Sequence, residues 1–539
     1  MNQEQPEIKQ ITLGSTIVNI RNKTIEIKAN QDLNNLAFIE DMDICILFLI
    51  SCDNIESKLS SKTIKELTIQ NCSLLNLDDL KLENLEVLNI SENFGVSIIN
   101  IDKYVKLQKL DLSKNGFVDI SYIQSLTKLI QLNLSENDIL DISVLQSLKY
   151  LQLLDISSNR GVDITPLQYV TSLKILNVLN TSINNIQTLN TLVNLEELDV
   201  SENEDIELSS TLNYFVKLQK LKMHSINIKE LYILTQIPNI KELDVSGNIG
   251  LNVQYLQHAT SLTKLDLSYN GLQKFVTLII LLFLDLSHNN TIDIESIQNL
   301  NLLIKLNISD CEINDLTALQ KLINIEELDV SNNSITDVSP LKNMEKLVVL
   351  MLNNNNIQST SALKSLTDLR ILFLNSNCDV DIAPLQYLTN LQQLSLYLCG
   401  IYEISALRPL TNLEQLDISQ NCIMNISPLN NLIKLVQLNL QFNSIQDLTP
   451  IQQHGNYENY YFDEQQLPSS EQIYIAHKMH SIDFTTTQMR NLKIKRESSV
   501  IKSGKRKIIS LFKSVKNNHM LFVDCIGYLL QQLNQNQQQ

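Results

Sequence analysis

Apolar residues recur along most of the chain in a short fixed pattern. Segments such as LQKLDLSKN (Leu107–Asn115) and IEELDVSNN (Ile325–Asn333) have apolar residues at their first, fourth and sixth positions and end in Asn. Leu110 and Leu112 alternate with polar neighbours, and this period of two predicts a short strand with one buried side. Each segment therefore predicts one strand whose third, fifth and seventh side chains face solvent.

Aligning the chain on the pattern L-x-x-L-x-[LIVM]-x-x-[NC] gives nineteen segments between residue 44 and about residue 451. Fourteen of the eighteen spacings between successive segments are 22 residues, and the others are 19, 20, 21 and 23. About a dozen residues must leave each strand and return to the next, which favours a short 3₁₀ or irregular segment over a long α-helix. Five prolines support this phasing, because each lies fifteen residues after the start of its segment, where a fixed φ suits the first turn of a helix. They are Pro166, Pro340, Pro384, Pro428 and Pro450.

These segments resemble the leucine-rich repeat. Their 22-residue spacing and D-I-x-P-L stretches are similar to the short repeat subclass typified by the nuclear regulatory subunit of protein phosphatase 1 and by bacterial internalins. The resemblance implies an α/β repeat solenoid, an arc with a concave parallel β-sheet and short 3₁₀ or irregular convex segments. In the family the Asn that ends each strand bonds neighbouring backbone groups. Four cysteines occupy the same place and are expected to be buried, reduced thiols: Cys52, Cys72, Cys311 and Cys399.

Four parts of the chain are expected from the repeat boundaries. Residues 1–43 form an N-terminal cap with degenerate repeats, and residues 44–451 form the solenoid of about nineteen repeats. Residues 452–489 form a C-terminal capping segment, and residues 490–539 form a basic tail with a Gln-rich end. Caps are expected because the core of a terminal repeat would otherwise be exposed to water.

The predicted concave surface departs from its usual pattern in three consecutive repeats. Most repeats have Asp or Asn at the fifth position and Ser at the seventh. These three repeats have Met, Phe and Ser at the fifth position, and Asn, Asn and Tyr at the seventh. Exposed apolar and aromatic side chains are typical of interfaces, so we predict a partner-binding patch here. Cover by another segment of the same chain and neutral drift are the alternatives. The predicted residues are Val349, Met351, Asn353, Ile371, Phe373, Asn375, Tyr397, Leu398 and Phe442.

The charge of the chain is unevenly distributed. Residues 490–539 hold ten Lys or Arg against Glu497 and Asp524, which gives this tail a net charge of +8. The whole chain has a net charge of −17, so the residues before the tail carry −25. Three interpretations of this tail remain open: a nuclear-targeting or nucleic-acid patch, an amphipathic basic helix for a membrane surface or a calmodulin-type partner, and a solvated segment touching the acidic solenoid. The second is suggested by the helical spacing of Ile508, Leu511, Phe512 and Val515. The densest basic cluster is Lys502, Lys505, Arg506 and Lys507.

Catalytic signatures are missing from the sequence. It has no Gly-rich phosphate loop, no G-x-S-x-G turn, no H-E-x-x-H motif and no paired Cys/His constellation. We therefore expect a non-enzymatic protein–protein interaction scaffold with no catalytic residues, metal site, cofactor or small-molecule substrate. A regulatory subunit that docks a phosphatase or other enzyme is one alternative, and an adaptor that binds a membrane surface or nucleic acid through its tail is another. The polar N-terminus contains no signal peptide pattern, so we expect the cytoplasm, with the nucleus as the alternative.

Overall fold

A computed structural model describes residues 9–13, 16–28, 39, 42–52, 59–72, 74, 76–78, 80–204, 206–208, 214–275, 278–452, 454 and 459–462. The chain divides into two compact units, Met1–Leu284 and Asp285–Gln539. The predicted capping residues after 462 and the whole basic tail, including Lys502, Lys505, Arg506 and Lys507, lie outside the described residues.

The first unit begins with a hairpin and continues as a parallel sheet. Strand β1 (Lys9–Leu13) pairs antiparallel with β2 (Thr16–Arg21), which pairs antiparallel with β3 (Thr24–Lys28). The remaining strands of this unit are β4 (Ile46–Ile50), β5 (Leu59–Ser60), β6 (Glu66–Gln70), β7 (Leu80–Lys81), β8 (Val87–Asn89), β9 (Lys109–Asp111), β10 (Gln131–Asn133), β11 (Leu153–Asp155), β12 (Ile175–Asn177), β13 (Glu197–Asp199), β14 (Lys220–Lys222), β15 (Glu242–Asp244) and β16 (Lys264–Asp266). From β3 onward each sheet strand runs parallel to its neighbour, while β5 and β7 form a separate parallel pair.

The second unit contains the remaining parallel strands. The boundary between the units falls within β17 (Phe283–Asp285). The strands that follow are β18 (Lys305–Asn307), β19 (Glu327–Asp329), β20 (Val349–Met351), β21 (Ile371–Phe373), β22 (Gln393–Ser395), β23 (Gln415–Asp417), β24 (Gln437–Asn439) and β25 (Asn459–Tyr461). Equivalent repeat positions are paired throughout, so that Leu328, Leu350 and Leu372 stand in one row.

Short 3₁₀ segments connect the strands, as the spacing predicts. Their bounds are Ile101–Lys103, Ser121–Ser125, Ser143–Ser147, Thr165–Tyr169, Gln187–Thr191, Tyr232–Thr235, Gln254–His258, Ile294–Ile297, Thr317–Leu319, Ser339–Asn343, Ser361–Ser365, Ala383–Tyr387, Ser405–Leu407, Ser427–Asn431 and Thr449–Ile451. The five phased prolines all lie in the first two residues of such a segment. The predicted fold class, an α/β repeat solenoid with a parallel sheet and short 3₁₀ segments, is confirmed. No helix among the described residues is long and apolar enough to cross a membrane.

Most repeats are held to their neighbours by a buried asparagine. The Nδ2 group of Asn115 donates to the carbonyl oxygens of Ile90 at 3.1 Å, Leu112 at 2.9 Å and Ser113 at 3.1 Å. Its Oδ1 accepts the backbone N–H of Asn93 at 2.6 Å. One side chain thus satisfies four backbone groups at the end of a strand, where the ladder of the sheet stops. The contacts show the role that the family resemblance implies for this Asn.

Cysteine takes the place of this asparagine in several repeats. The Sγ groups of Cys72, Cys311 and Cys399 each lie 3.2 Å from a carbonyl oxygen at the sixth position of the preceding repeat. Burial raises the pKa of the Cys72 and Cys311 thiols to about 11 and that of Cys399 to about 12. These thiols are therefore protonated donors at neutral pH and poor nucleophiles.

The residue at the eighth position turns the chain in every repeat. All nineteen such residues have a φ between 52° and 69°, in the left-handed region. Asn and Gly adopt this conformation most easily, and Gly247 is an example. Leu398 and Phe442 hold the same backbone conformation with bulky side chains, which is an unfavourable choice at such a turn.

The last described strand covers the core of the final repeat. Tyr460 in β25 is fully buried, and its hydroxyl donates to the carbonyl oxygen of Leu435 at 3.0 Å. The same hydroxyl lies 2.9 Å from Nδ1 of His454, whose Nε2 is 3.0 Å from the carbonyl oxygen of Leu429. Burial lowers the pKa of His454, so this ring is neutral at pH 7. A polar network thus ties the final strand to one carbonyl group in each of the last two repeats.

Candidate partner-binding site

Four of the predicted patch residues form a compact group on β20 and β21. In the pairing of these strands Val349 stands beside Ile371, and Met351 stands beside Phe373. All four side chains are half-buried. Neighbouring strands lie about 5 Å apart, and side chains two residues apart on one strand are separated by about 7 Å. The four side chains therefore form one continuous apolar surface on the solvent-facing side of the sheet.

The remaining aromatic and apolar candidates lie at two distances from this group. Tyr397 follows β22, the next strand, and is half-buried, as is Leu398 in the turn after it. Phe442 is 60% exposed but belongs to a repeat two further along, with Gln420 at the equivalent position between them. The structure thus joins Tyr397 and Leu398 to the group on β20 and β21, and leaves Phe442 separate. We call Val349, Met351, Ile371, Phe373, Tyr397 and Leu398 the apolar patch.

An ordinary repeat uses its fifth residue to complete the turn after the strand. Asp111 accepts the backbone N–H of Ser113 at 2.9 Å and the Ser113 hydroxyl at 2.7 Å, both at Oδ1. Asp417 and Ser419 form the same pair of bonds at 2.9 and 2.5 Å. The side chains of Met351 and Phe373 have no oxygen with which to accept these donors. Their presence therefore removes a local hydrogen-bond acceptor from the turn.

The two candidate asparagines of the site supply the turn acceptor in the repeats that contain Phe373 and Ser395. Oδ1 of Asn353 accepts the backbone N–H of Asn375 at 3.0 Å, one repeat further along. Oδ1 of Asn375 then accepts the backbone N–H of Tyr397 at 2.9 Å and the hydroxyl of Ser395 at 2.5 Å. The sequence predicts Asn353 and Asn375 as partner contacts, whereas the structure adds a structural role. Each carries a bond that an aspartate within the next repeat supplies elsewhere.

A similar arrangement occurs in the first unit, in another repeat whose fifth residue lacks a hydrogen-bond acceptor. Lys222 stands at the fifth position of its repeat and cannot accept a hydrogen bond. The backbone N–H of His224 turns instead to the Ser201 hydroxyl of the preceding repeat, at 3.1 Å. In the turns after Lys222 and Phe373, the acceptor is thus supplied by the seventh residue of the repeat before.

The sheet face around the apolar patch carries few charges. From β19 to β24 the third, fifth and seventh positions include three carboxylates, Glu327, Asp329 and Asp417, and no Lys or Arg. Glu327 lies at 2.6 Å from Nζ of Lys305 on β18. Asp417 accepts Nδ2 of Asn439 on the next strand at 3.3 Å. The surface is therefore apolar and amide-rich at its centre, with negative charge at its margins.

A groove beside the apolar patch could not be found from the repeat pattern. It has a volume of about 420 Å³ and lies where β20, β21 and β22 begin. Two of its lining residues also have a structural role. Nδ2 of Asn390 donates to the carbonyl oxygen of Thr367, and Nδ2 of Asn412 donates to that of Thr389, both at 3.0 Å. The repeat pattern leaves its second position unspecified, and Arg370 at that position is the sequence signal that could have indicated the groove. The lining residues are Val348, Asp368, Arg370, Asn390, Gln392 and Asn412.

Comparison with known proteins agrees with the repeat geometry. A family model described as "Leucine Rich repeat" matches residues 258–274 and 321–339. An internalin C2 from Listeria monocytogenes is 34% identical over 31% of this chain and 73% of its own, with a TM-score of 0.30. The chain belongs to the leucine-rich repeat family. Proteins of this family are typically interaction scaffolds rather than enzymes.

Other solved structures resemble this leucine-rich repeat protein over longer stretches. An internalin (inlF) from Listeria monocytogenes is 26% identical over 61% of this chain and 85% of its own, with a TM-score of 0.40. TLR13 in its complex with ssRNA13 is 19% identical over 79% of this chain and 72% of its own, with a TM-score of 0.52. The TLR13 likeness shows the fold alone. No curated protein sequence matches the chain.

Metal-binding chemistry is not assembled in the part of the chain that the structure describes. No group of three or more His, Cys, Asp or Glu side chains there could hold a metal ion. Asp244 and Asp266 stand side by side on β15 and β16, but each accepts the hydroxyl of its own Ser at 2.7 Å. These carboxylates therefore complete turns in the same way as Asp111.

Proposed function

We propose that this protein is a non-enzymatic scaffold that captures a protein partner on the solvent-facing side of its sheet, the side predicted to be concave, through the apolar patch. One observation carries the proposal. Met351 and Phe373 replace hydrogen-bonding residues with apolar ones, while Asn353 and Asn375 each supply the turn acceptor of the repeat that follows, in the turns after Phe373 and Ser395. The fold is thereby kept while the solvent-facing surface becomes apolar.

The energetics of the patch favour an interface. A buried apolar surface contributes roughly 25 cal/mol per Å² when water is removed from it, whereas the aspartate of an ordinary repeat offers no such gain. Aromatic side chains also lose little conformational entropy on binding, and they are frequent anchors of interfaces. Phe373 and Tyr397, on consecutive repeats, are therefore the residues expected to contribute most to partner affinity.

The charge of the same face favours protein over nucleic acid as the partner. Nucleic-acid binding draws much of its affinity from Lys and Arg contacts to phosphates. The sheet face from β19 to β24 has three carboxylates and no basic residue at its solvent-facing positions. The RNA of the TLR13 complex therefore has no counterpart in the chemistry of this surface. A neutral or basic protein segment with an apolar anchor fits it better.

The first prediction tests the patch directly. We expect the double substitution Phe373→Ala plus Tyr397→Ala to weaken partner binding at least tenfold, because aromatic anchors commonly contribute about 2 kcal/mol each. Affinity purification with the intact chain identifies the partner, and calorimetry with both proteins gives the dissociation constants. The thermal unfolding midpoint of the double variant should stay close to that of the wild type, since both side chains are only half-buried.

The matched control lies on the opposite side of the same repeats. Tyr387, in the 3₁₀ segment Ala383–Tyr387, is 57% exposed and outside the patch. Tyr387→Ala removes an aromatic side chain without touching the sheet face, so it should leave the dissociation constant unchanged. Equal partner affinity in the double variant and in the control would contradict the proposed function.

A further inference from the structure

We infer that the chain's own basic segment, residues 502–516, occupies the apolar patch when no partner is bound. The inference rests on the proposed function, because it takes the same patch as a binding surface. It names the chemistry that the patch accepts: an amphipathic segment with an apolar side and a positively charged remainder. A partner of the same chemistry would then have to displace this segment.

The apolar side of the segment matches the patch in size. Ile508, Leu511, Phe512 and Val515 follow the spacing that places side chains on one side of a helix. From the first to the last they would span about 10 Å, at about 1.5 Å per residue. The patch extends over β20, β21 and the end of β22, which is also about 10 Å at the usual strand spacing. The apolar side of one helix of this length could therefore span the apolar patch from β20 to β22.

The charges of the two surfaces are complementary. Residues 502–516 contain six Lys or Arg and no acidic residue. The patch is bordered on the adjacent strand by Glu327 and Asp329, the register partners of Val349 and Met351. Arg370 lines the adjacent groove, but no Lys or Arg occupies a third, fifth or seventh position from β19 to β24, on the face that the segment would cover. The chain before the tail carries a net charge of −25, so the long-range field also attracts it.

The length of chain between the two surfaces permits the contact. The described residues end at Phe462, directly after β25, and β25 is four strands from β21, or about 19 Å. The intervening chain of about 45 residues has a typical end-to-end distance of about 35–40 Å if it behaves as a flexible linker. Such a tether gives an effective concentration in the millimolar range. A segment with an intrinsic dissociation constant of about 100 μM would then occupy the patch about nine-tenths of the time.

Self-occupation has a measurable consequence for partner binding. A site that is free one-tenth of the time binds its partner about tenfold more weakly than an open site. Removing the apolar side chains of the tail should therefore raise partner affinity about tenfold. The substitutions that do this lie outside the residues of the solenoid.

A labelled peptide tests the inference on intact chains. The probe is a fluorescent synthetic peptide of residues 500–518, and its binding is followed by fluorescence anisotropy. We expect it to bind an intact chain whose tail carries Leu511→Ser and Phe512→Ser, and to bind the wild-type chain at least tenfold more weakly. Adding Phe373→Ala and Tyr397→Ala to the tail variant should weaken peptide binding at least tenfold. Adding Tyr387→Ala instead should change nothing.

Three results would overturn the inference. They are no peptide binding to the tail variant, equal binding to the tail variant and the wild type, and equal binding after the patch substitutions. The last result would assign the peptide to a purely electrostatic contact elsewhere. The proposed function is tested separately, by measuring how tightly the partner binds to the patch variant. If the patch substitutions abolish partner binding while the peptide fails to bind, the inference falls and the proposed function stands.

Discussion

Met351 and Phe373 show how one residue position can serve either the fold or a surface. An aspartate there accepts two hydrogen bonds from the following Ser, as Asp111 does for Ser113. A buried turn donor left without a partner costs about 1–3 kcal/mol. Asn353 prevents that loss by accepting the backbone N–H of Asn375. A pair of substitutions in neighbouring repeats thus changes the surface at little expense to stability.

Leu398 provides a test of strain at the edge of the patch. Its φ of 55° is unfavourable for leucine, and Asn tolerates this conformation better. We expect Leu398→Asn to raise the free energy of unfolding by about 0.5–1 kcal/mol and to weaken partner binding, measured by urea denaturation and calorimetry. The matched control is Leu140→Asn, because Leu140 is 55% exposed and has no positive φ. A gain in stability from both substitutions would argue against strain at Leu398.

At this scale the sequence predicts the apolar patch residues but not the role of every candidate. The solvent-facing places of Val349 and Ile371 follow from a period of two, and the structure pairs them as neighbours. The bonds of Asn353 and Asn375 could not be foreseen, because they join adjacent repeats and depend on register. An asparagine in a solvent-facing place of a single repeat looks like any polar surface residue. Whether the patch residues contact a partner stays a prediction.

The asparagine ladder is the main device that joins one strand element to the next. Asn377 donates to the carbonyl oxygens of Leu352 at 2.9 Å and Leu374 at 2.8 Å. It also accepts the backbone N–H of Ile357 at 3.0 Å. Asn377 is fully buried, so water cannot replace these bonds in the folded chain.

We expect Asn377→Ala to lower the free energy of unfolding by about 3 kcal/mol, because it strands several buried backbone groups. Urea denaturation followed by circular dichroism measures the change. Asn343→Ala, at the exposed end of the segment Ser339–Asn343, is the matched control and should shift stability by less than about 0.5 kcal/mol. A similar loss of unfolding free energy in the two variants would contradict a stabilising role for the asparagine ladder.

The 3₁₀ elements predict a pH dependence. Hydrogen bonds from Ser143, Thr165 and Thr317 lower the pKa of Asp141, Asp163 and Asp315 below the ordinary value of 3.8. Because the folded-state pKa is depressed, their stabilising contribution is fully present above that ordinary value and is lost as the pH falls through the lower one.

Replacing these three residues with Asn keeps an acceptor and removes the titration. We expect the wild type to lose more thermal stability between about pH 5 and about pH 3 than the triple Asp→Asn variant, measured by calorimetric scans at both pH values. An equal loss of thermal stability in the two proteins would show that other carboxylates cause the loss of stability at low pH.

At the element scale the sequence predicts repeats well and irregular ends poorly. In the repeat that begins at Ile325, the strand and the 3₁₀ segment follow directly from the apolar spacing and the phased proline Pro340. The antiparallel hairpin of β1 and β2 does not, because strand direction depends on pairing and those residues lack the repeat pattern. The predicted boundaries of the two caps stay predictions, since residues 463–489 lie outside the described part of the chain.

For the whole molecule, the two compact units share one repeat chemistry but differ in their solvent-facing residues. In the first unit the sheet face mixes acidic and basic groups, such as Lys220 between Glu197 and Glu242, with N–O distances of 3.6 and 3.8 Å. In the second unit the apolar patch is bordered by Glu327 and Asp329 on β19, and the third, fifth and seventh positions of β20, β21 and β22 carry no charge. The sequence predicts this difference, because the charged and apolar residues at the solvent-facing positions of each repeat can be read directly from it. It does not identify the partner, because recognition depends on a surface that belongs to another molecule.

The regular ladder also affects how this gene product tolerates insertions and deletions. Each rung bonds a residue to fixed places of the preceding repeat, 22 and 25 positions away, as Asn421 does to Cys399 and Leu396. Loss or duplication of one complete unit of 22 residues joins equivalent rungs again, whereas a one-residue insertion inside a strand moves the apolar side chains that follow it in that strand to the wrong side. Unequal recombination between repeats can therefore lengthen or shorten the protein, and transplant a surface such as the one on β20 to β22, in whole steps.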